Sequence, residues 1–214
     1  MKNKLLYSFI LSCTAFISVI TVSACFCQTG GESEKTTAAV LIVYHGGTPP
    51  WHEAPPLDVR EVDELTQATP ENVNVRIVAT GIRNTLTGLG FRVEMKEADA
   101  IRGPDDFLEY DGIIIGTPTW FSNVSYPIKR LFDEHLIRIY EHRPGRLNDK
   151  VLAGFTTVMD RTSGPLCLRS LYNGLEHLSK RTVGGIVINT GDTKDNINAS
   201  IRQFCERFSK TMKK

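Results

Sequence analysis

The chain has no surplus of either charge: 25 Lys and Arg stand against 24 Asp and Glu in 214 residues. A protein that grips nucleic acid needs a basic face or stripe, so that partner class is excluded. Paired cysteines are missing too. Of the five cysteines, Cys13 and Cys25 fall in or at the end of the leader, and the other three, Cys27, Cys167 and Cys205, are odd in number and widely spaced. From residue 38 onward there is no C-x-x-C pair and no metal-ligand spacing. His45, His52 and Glu53 likewise lack the fixed spacing of a zinc site, and no metal is expected. The chain has no Gly-Lys-Ser of a P-loop and no Ser or Cys in a nucleophile elbow, which removes the P-loop and elbow-type hydrolase readings. Internal repeats and low-complexity tracts are absent. What remains is the composition of an ordinary globular protein, 41% hydrophobic and 23% charged, at a length that suits one domain.

The first 24 residues do not belong to that domain. Lys2 and Lys4 precede an apolar run from Leu5 to Val22, and Ser23-Ala24 supplies small residues before Cys25, the layout of an export signal. Val22-Ser23-Ala24-Cys25 resembles a bacterial lipobox, in which the cysteine is acylated and becomes the new N-terminus. Three outcomes are open: lipidation at Cys25, conventional cleavage after Ala24, and an uncleaved anchor. Ser8, Ser12, Thr14, Ser18 and Thr21 dilute the run and disfavour the anchor. Residues 25–37 then read as a linker, tethering an exported domain of residues 38–214 to a membrane, or leaving it periplasmic. Removing residues 1–24 takes two of the 25 basic residues and no acid, leaving 23 against 24.

Along the domain, Ala38–Tyr44 is a continuous apolar run of the kind that forms a strand covered on both faces. A Gly-rich turn, His45-Gly46-Gly47-Thr48, follows. An insert rich in proline and acids then occupies residues 49–68, long enough to be a lid, a short helix or a mobile lobe. Thr69 as N-cap, Pro70 and Glu71 announce a helix with the stripe Val78, Ile82, Leu86 and Leu89, stopped by Gly88-Leu89-Gly90. Strands are expected at Phe91–Met95, Gly112–Gly116, Val151–Thr157 and Gly184–Ile188. A second helix opens at Tyr126 with Ile128, Leu131, Phe132, His135, Leu136 and Ile139 on one face. After a loop over Met159–Pro165, a third carries Leu168, Leu171, Tyr172, Leu175 and Leu178. Asp192–Asn198 leads into a fourth, striped by Ile197, Ile201, Phe204, Cys205, Phe208 and Met212. Five strands alternating with four helices specify an α/β fold, a parallel sheet with helices on both faces. Cys167 and Cys205 fall among apolar helical positions and are expected to be inert buried thiols.

One stretch carries more chemistry than the rest. Asp111-Gly112 leads through Ile113-Ile114-Ile115-Gly116 into Thr117-Pro118-Thr119-Trp120-Phe121-Ser122-Asn123 and then the helix at Tyr126. A buried strand thus delivers a Pro-containing, aromatic-tipped loop to the carboxyl edge of the sheet, where open α/β folds bind ligands. Two adjacent aromatics cannot both face one core, which leaves at least one exposed. This Asp-Gly, apolar run, Gly-Thr-Pro-Thr-aromatic signature resembles the flavodoxin-like superfamily, especially its NAD(P)H:quinone and FMN reductase branch, over about residues 38–210.

The resemblance implies a flavodoxin-like three-layer sandwich with a five-stranded parallel sheet. It also implies an FMN-binding oxidoreductase passing electrons from NAD(P)H to a quinone or other small acceptor. A one-electron carrier, a flavin-free binding lipoprotein, and a homo-oligomeric state remain open beside it. Carried onto this chain, the phosphate would fall to His45, Gly46, Gly47 and Thr48, with Asn72 beyond the insert. The ring would lie against Thr117, Pro118, Thr119, Trp120 and Phe121, and against a third wall of Asp160, Arg161, Ser163 and Gly164. No side chain need act as acid or base. His177 lies near a position where quinone reductases place a histidine beside the ring. The bland alternatives are a plain Gly-Gly turn, core aromatics capping the sheet, a solvated Arg161 and a structural His177.

Overall fold

A computed structural model describes residues 37–46 and 74–214. The signal, the linker with Cys25, the insert, and Gly47, Thr48 and Asn72 lie outside the described residues.

Five parallel strands form one sheet in the order β2-β1-β3-β4-β5, with β1 Ala39–Tyr44, β2 Arg92–Glu97, β3 Gly112–Pro118, β4 Val151–Val158 and β5 Thr182–Asn189. The architecture is flavodoxin-like, as the sequence implies. Alternation along β1 builds both cores at once. Val40, Ile42 and Tyr44 pack with helices α1 (Val75–Gly88) and α5 (Lys194–Met212) on one face. Ala39, Leu41 and Val43 pack on the other with α2 (Tyr126–Leu131), α3 (Ile137–His142) and α4 (Ser163–Leu178). Burial on both faces explains why β1, β3 and β4 read as unbroken apolar runs.

The cap of α1 among the described residues is Asn74, whose side chain accepts from the Ile77 amide; the expected start at Thr69–Glu71 lies outside the described residues. Leu89 leaves the expected stripe and is exposed, because it is already the C-cap. The loop expected to run to Pro165 ends sooner, with α4 starting at Ser163. Proline fits a first helical turn, where its missing N–H would have had no partner. α5 also starts early, at Lys194, because the Thr193 side chain accepts from the Asn196 amide.

The helix after β3 is interrupted. Residues Phe132–Leu136 form a π turn between α2 and α3, which no periodicity announced. At the β4/β5 pair the register shifts between Ala153 and Phe155. There Tyr172 fills the gap: its hydroxyl accepts from the Gly154 amide at 3.2 Å and donates to the Val183 carbonyl. Among the described residues no helix is long and apolar enough to cross a membrane.

Candidate functional site

The order in which strands are added reverses between β1 and β3: the chain leaves β1 for β2 on one side and returns to β3 on the other. Crossover segments therefore depart on opposite faces and leave a notch beyond the strand ends, the usual ligand crevice of such sheets. What the chain places there comes from the loops after β1, β3 and β4.

The β3 loop is closed by a two-residue turn. Trp120 and Asn123 exchange both backbone hydrogen bonds, at 3.0 and 2.9 Å, and the residues between them have positive φ, 48° at Phe121 and 60° at Ser122. Positive φ at both central residues is the type I′ pattern, which usually selects Asn-Gly. Holding side-chain-bearing residues there costs about 1–2 kcal/mol each, and such strain concentrates at functional sites. Its product is a Phe121 side chain that is 95% exposed. The turn is also pinned. The Thr119 amide donates to the Thr157 carbonyl at 2.9 Å, and the Thr119 and Thr156 hydroxyls meet at 2.8 Å. Asn123 Oδ1 accepts from the Val124 amide and from Ser170 of α4. Next door, Met159 at the end of β4 is 87% exposed. Two large apolar side chains thus stand in solvent on adjacent strand ends, one on a strained and anchored turn. Together they can lie against a planar apolar ring.

The β1 end is polar. His45 Nδ1 lies 3.1 Å from the Ser125 hydroxyl, and the imidazole meets the Trp120 ring edge-on with centroids 5.4 Å apart. Trp120 is thus half-buried and braced by His45, leaving Phe121 as the displayed aromatic. The Thr117 hydroxyl lies 2.9 Å from the Pro118 carbonyl and 3.2 Å from Ser125 Oγ, and it accepts from the Ser125 amide at 3.0 Å. The Gly46 amide donates to Glu97 Oε2 at 3.2 Å. Burial holds the His45 pKa below its ordinary 6.5, against the opposing pull of Glu97 and Asp99. Burial and Glu97 push the Tyr44 hydroxyl up to about 12.

The third wall is organised differently. Asp160 accepts from the Thr162 and Ser163 amides and the Thr162 hydroxyl, which holds its pKa below the usual carboxylate value. Its carboxylate therefore caps the start of α4. Arg161 pairs with Asp192 at 2.7 Å. Gly164 is buried, and a Cβ there would sit 2.4 Å from Val187, so it lets α4 approach β5 closely. Pro118 pairs with Thr157 inside the sheet, and Thr117 is fully buried.

His177 lies elsewhere. α4 runs away from the carboxyl edge, and the 14 residues from Ser163 to His177 carry it about 21 Å toward the start of β5. There it faces Tyr140 edge-on at 6.3 Å, so the position beside the ring implied by the resemblance does not hold. Two contributors were not foreseen, Ser125 and Glu97, and Met159 was foreseen only as part of the loop after β4. Ser125 was legible as a serine just before a helix start. The role of Glu97 and the exposure of Met159 depended on which strand ends become neighbours.

A family profile described as NADPH-dependent FMN reductase matches residues 62–194. The chain belongs to this family. Its fold is similar to that of a flavodoxin from Streptococcus pneumonia TIGR4, at 16% identity and a TM-score of 0.58 over 81% of this chain and 99% of that one. A flavodoxin 1 from Bacillus cereus matches at 14% identity and TM-score 0.56, over 81% and 98%. An NADH:FMN oxidoreductase in apo form matches at 10% identity and TM-score 0.59, over 81% and 89%. None of the curated proteins matches the chain. FMN is the cofactor of the family, and the described residues suit it. Phe121 and Met159 leave apolar surface exposed beyond β3 and β4, and the β1 end carries His45 and the Gly46 amide, which donates to Glu97.

Proposed function

We propose that the chain is an FMN-dependent NAD(P)H oxidoreductase that passes electrons to a quinone or another small acceptor. The observation that carries this reading is the displayed Phe121, held by a strained and anchored turn for which the fold itself has no use. Bound FMN supplies the redox chemistry. The protein's residues bind and orient: Phe121 and Met159 cover the ring, Thr119 and Asn123 hold the loop at fixed height, and Trp120 with His45 closes the β1 side. Within this reading the family description supports NADPH as donor.

Export and lipidation at Cys25 are part of the same proposal, supported by Val22-Ser23-Ala24-Cys25 after the basic and apolar leader. The test is a visible spectrum of the purified chain with added FMN, followed by stopped-flow reduction with NADPH and NADH. Flavin bands and reduction by either nucleotide are expected. A chain that binds FMN but is reduced by neither is a carrier, and one that stays colourless in excess FMN refutes the flavin reading. Mass spectrometry of the membrane fraction checks for a diacylated Cys25.

A further inference from the structure

The near-balance of charge along the chain hides an uneven distribution in space. The amino edge of the sheet, opposite the notch, is formed by the loops that enter the strands and by the end of α5. Arg146 before β4, Lys180 before β5, and Lys210, Lys213 and Lys214 at the end of α5 are exposed there. None of the five has a carboxylate partner among the described residues.

The segments that carry these cations are clamped together. Arg181 donates from one guanidinium nitrogen to the Asp149 carbonyl at 2.7 Å and from the other to the Thr211 carbonyl at 2.6 Å. The Ser179 hydroxyl lies 2.7 Å from the Lys150 carbonyl and accepts from the Arg181 amide at 3.0 Å. The loops before β4 and β5 and the end of α5 therefore make one surface. In its loops the acids are Glu109, Asp111 and Asp149, and Asp111 is taken by the Ala39 amide at 2.8 Å. Glu141 and Glu176, in the last turns of α3 and α4, belong to the other face of the sheet from α5. At the carboxyl edge the sign reverses: Glu97, Asp99, Asp160, Asp192 and Asp195 outnumber Arg76, Arg161 and Lys194 among the described residues.

The chain also enters the domain by the basic edge, since β1 begins there at Ala39 and runs toward the notch. A lipid on Cys25 would hold the domain by this end, through a linker over residues 25–37 that spans at most about 45 Å. So short a tether keeps the edge at a high effective concentration at the bilayer. Phosphatidylglycerol headgroups carry the charge that the five cations complement, and each cation near such a surface contributes about fivefold to its residence there.

We propose that the amino edge docks on anionic lipid headgroups and holds the flavin site turned away from the bilayer. The inference rests on the Cys25 anchor proposed above. β1 is six residues long, so the notch stands about 20 Å further out than the docked edge. The surface charge is screened within about 8 Å at physiological salt. An acceptor dissolved in water reaches the flavin there, and one held in the bilayer core does not. Among quinones this selects the short-chain, water-soluble ones.

The test is lysine acetylation at single-hit level on the lipidated chain, purified from the membrane fraction and reconstituted into vesicles. One set is phosphatidylcholine alone, the other phosphatidylcholine mixed with phosphatidylglycerol. Peptide mass spectrometry compares Lys180, Lys210 and Lys213 with Lys129 of α2, which is exposed away from the amino edge. On the mixed vesicles labelling of the three edge lysines is expected to fall about fivefold, with Lys129 unchanged. Lys180→Glu combined with Lys213→Glu, checked for native circular dichroism, is expected to return Lys210 to its labelling on phosphatidylcholine. If this double variant does not fold, the two vesicle types on the unaltered chain decide alone. Protection that is equal on both vesicles, absent from both, or found at Lys129 instead overturns the inference and leaves the anchor intact. A long-tailed quinone confined to the mixed vesicles and reduced as fast as a short-chain one in water overturns it as well. An unmodified Cys25 overturns the anchor reading and the inference with it, whereas a chain that binds no flavin leaves the lysine result standing.

Discussion

Replacing Phe121 by glycine should weaken flavin binding and strengthen the fold. A phenylalanine buries at least about 150 Å² when covered. One ring face against a flavin accounts for roughly half of this, about 80 Å², or ~2 kcal/mol at 25 cal/mol per Å². That is a loss of about 30-fold in affinity. The side chain is 95% exposed and supports nothing else in the fold. Its φ of 48° costs about 1–2 kcal/mol for any residue with a Cβ. Glycine removes that strain but brings back about 0.5–1 kcal/mol of unfolded-chain entropy, so the cofactor-free chain should gain between zero and about 1.5 kcal/mol. Phe121→Ala separates the two effects: it loses the same affinity and keeps the strain, so its stability stays unchanged. Ser122→Gly, at φ 60°, should gain stability at unaltered affinity. Flavin fluorescence titration and urea unfolding of the apo chain measure both quantities. Unaltered affinity in both Phe121 variants refutes the ring contact, and a Phe121→Gly chain less stable than the parent by more than about 1 kcal/mol refutes the strain account.

Other consequences are as direct. A Cβ on Gly116 would lie 2.2 Å from the Phe155 ring, itself fully buried, so Gly116→Ala should cost about 1–3 kcal/mol; Phe155→Leu in the same chain should recover part of this by urea unfolding. Cys167 and Cys205 are buried, and desolvation pushes the Cys205 thiol up to about 12, so peptide mapping after iodoacetamide at pH 8 should find both unmodified until denaturant is added. Glu97→Gln removes the carboxylate on the Gly46 amide and should tighten FMN about fivefold while leaving riboflavin unchanged; equal effects on the two would show that Glu97 does not face the phosphate.

The architecture was legible because its causes are local. Apolar runs such as Val151–Val158 have no alternative to burial on both faces, and the four helical stripes fall where 3.6-residue spacing puts them. Boundaries depend on single cap residues: Asn74 caps α1 where the described residues resume, and Thr193 caps α5 inside the expected Asp192–Asn198 lead-in. The π turn at Phe132–Leu136 leaves the apolar spacing intact and was invisible. At the site, the aromatic pair after β3 was legible, but not which member would be displayed. That depended on the Trp120–Asn123 bridge and on His45 coming from 75 residues away to brace Trp120. His177 misled because spacing along a helix says nothing of which edge of the sheet its end reaches.

The two halves of the site are built by opposite means, and this bears on what selects the ligand. On the ring side, pinned backbone and apolar tips recognise shape and flatness, and any planar heterocycle of the right size meets the same surface. On the β1 side a histidine beside the Ser125 hydroxyl and a carboxylate on the Gly46 amide respond to charge. Shape discrimination of this sort is nearly independent of pH, whereas a partly buried imidazole between two acids is not. Affinity for the ring and preference for its phosphate are therefore separable by mutation: Phe121 should move both flavins together, and His45 and Glu97 should move only their ratio. A single variant that shifted ring affinity and phosphate preference by the same factor would mean that one surface performs both tasks, and the division between the β1 and β3 loops would have to be abandoned.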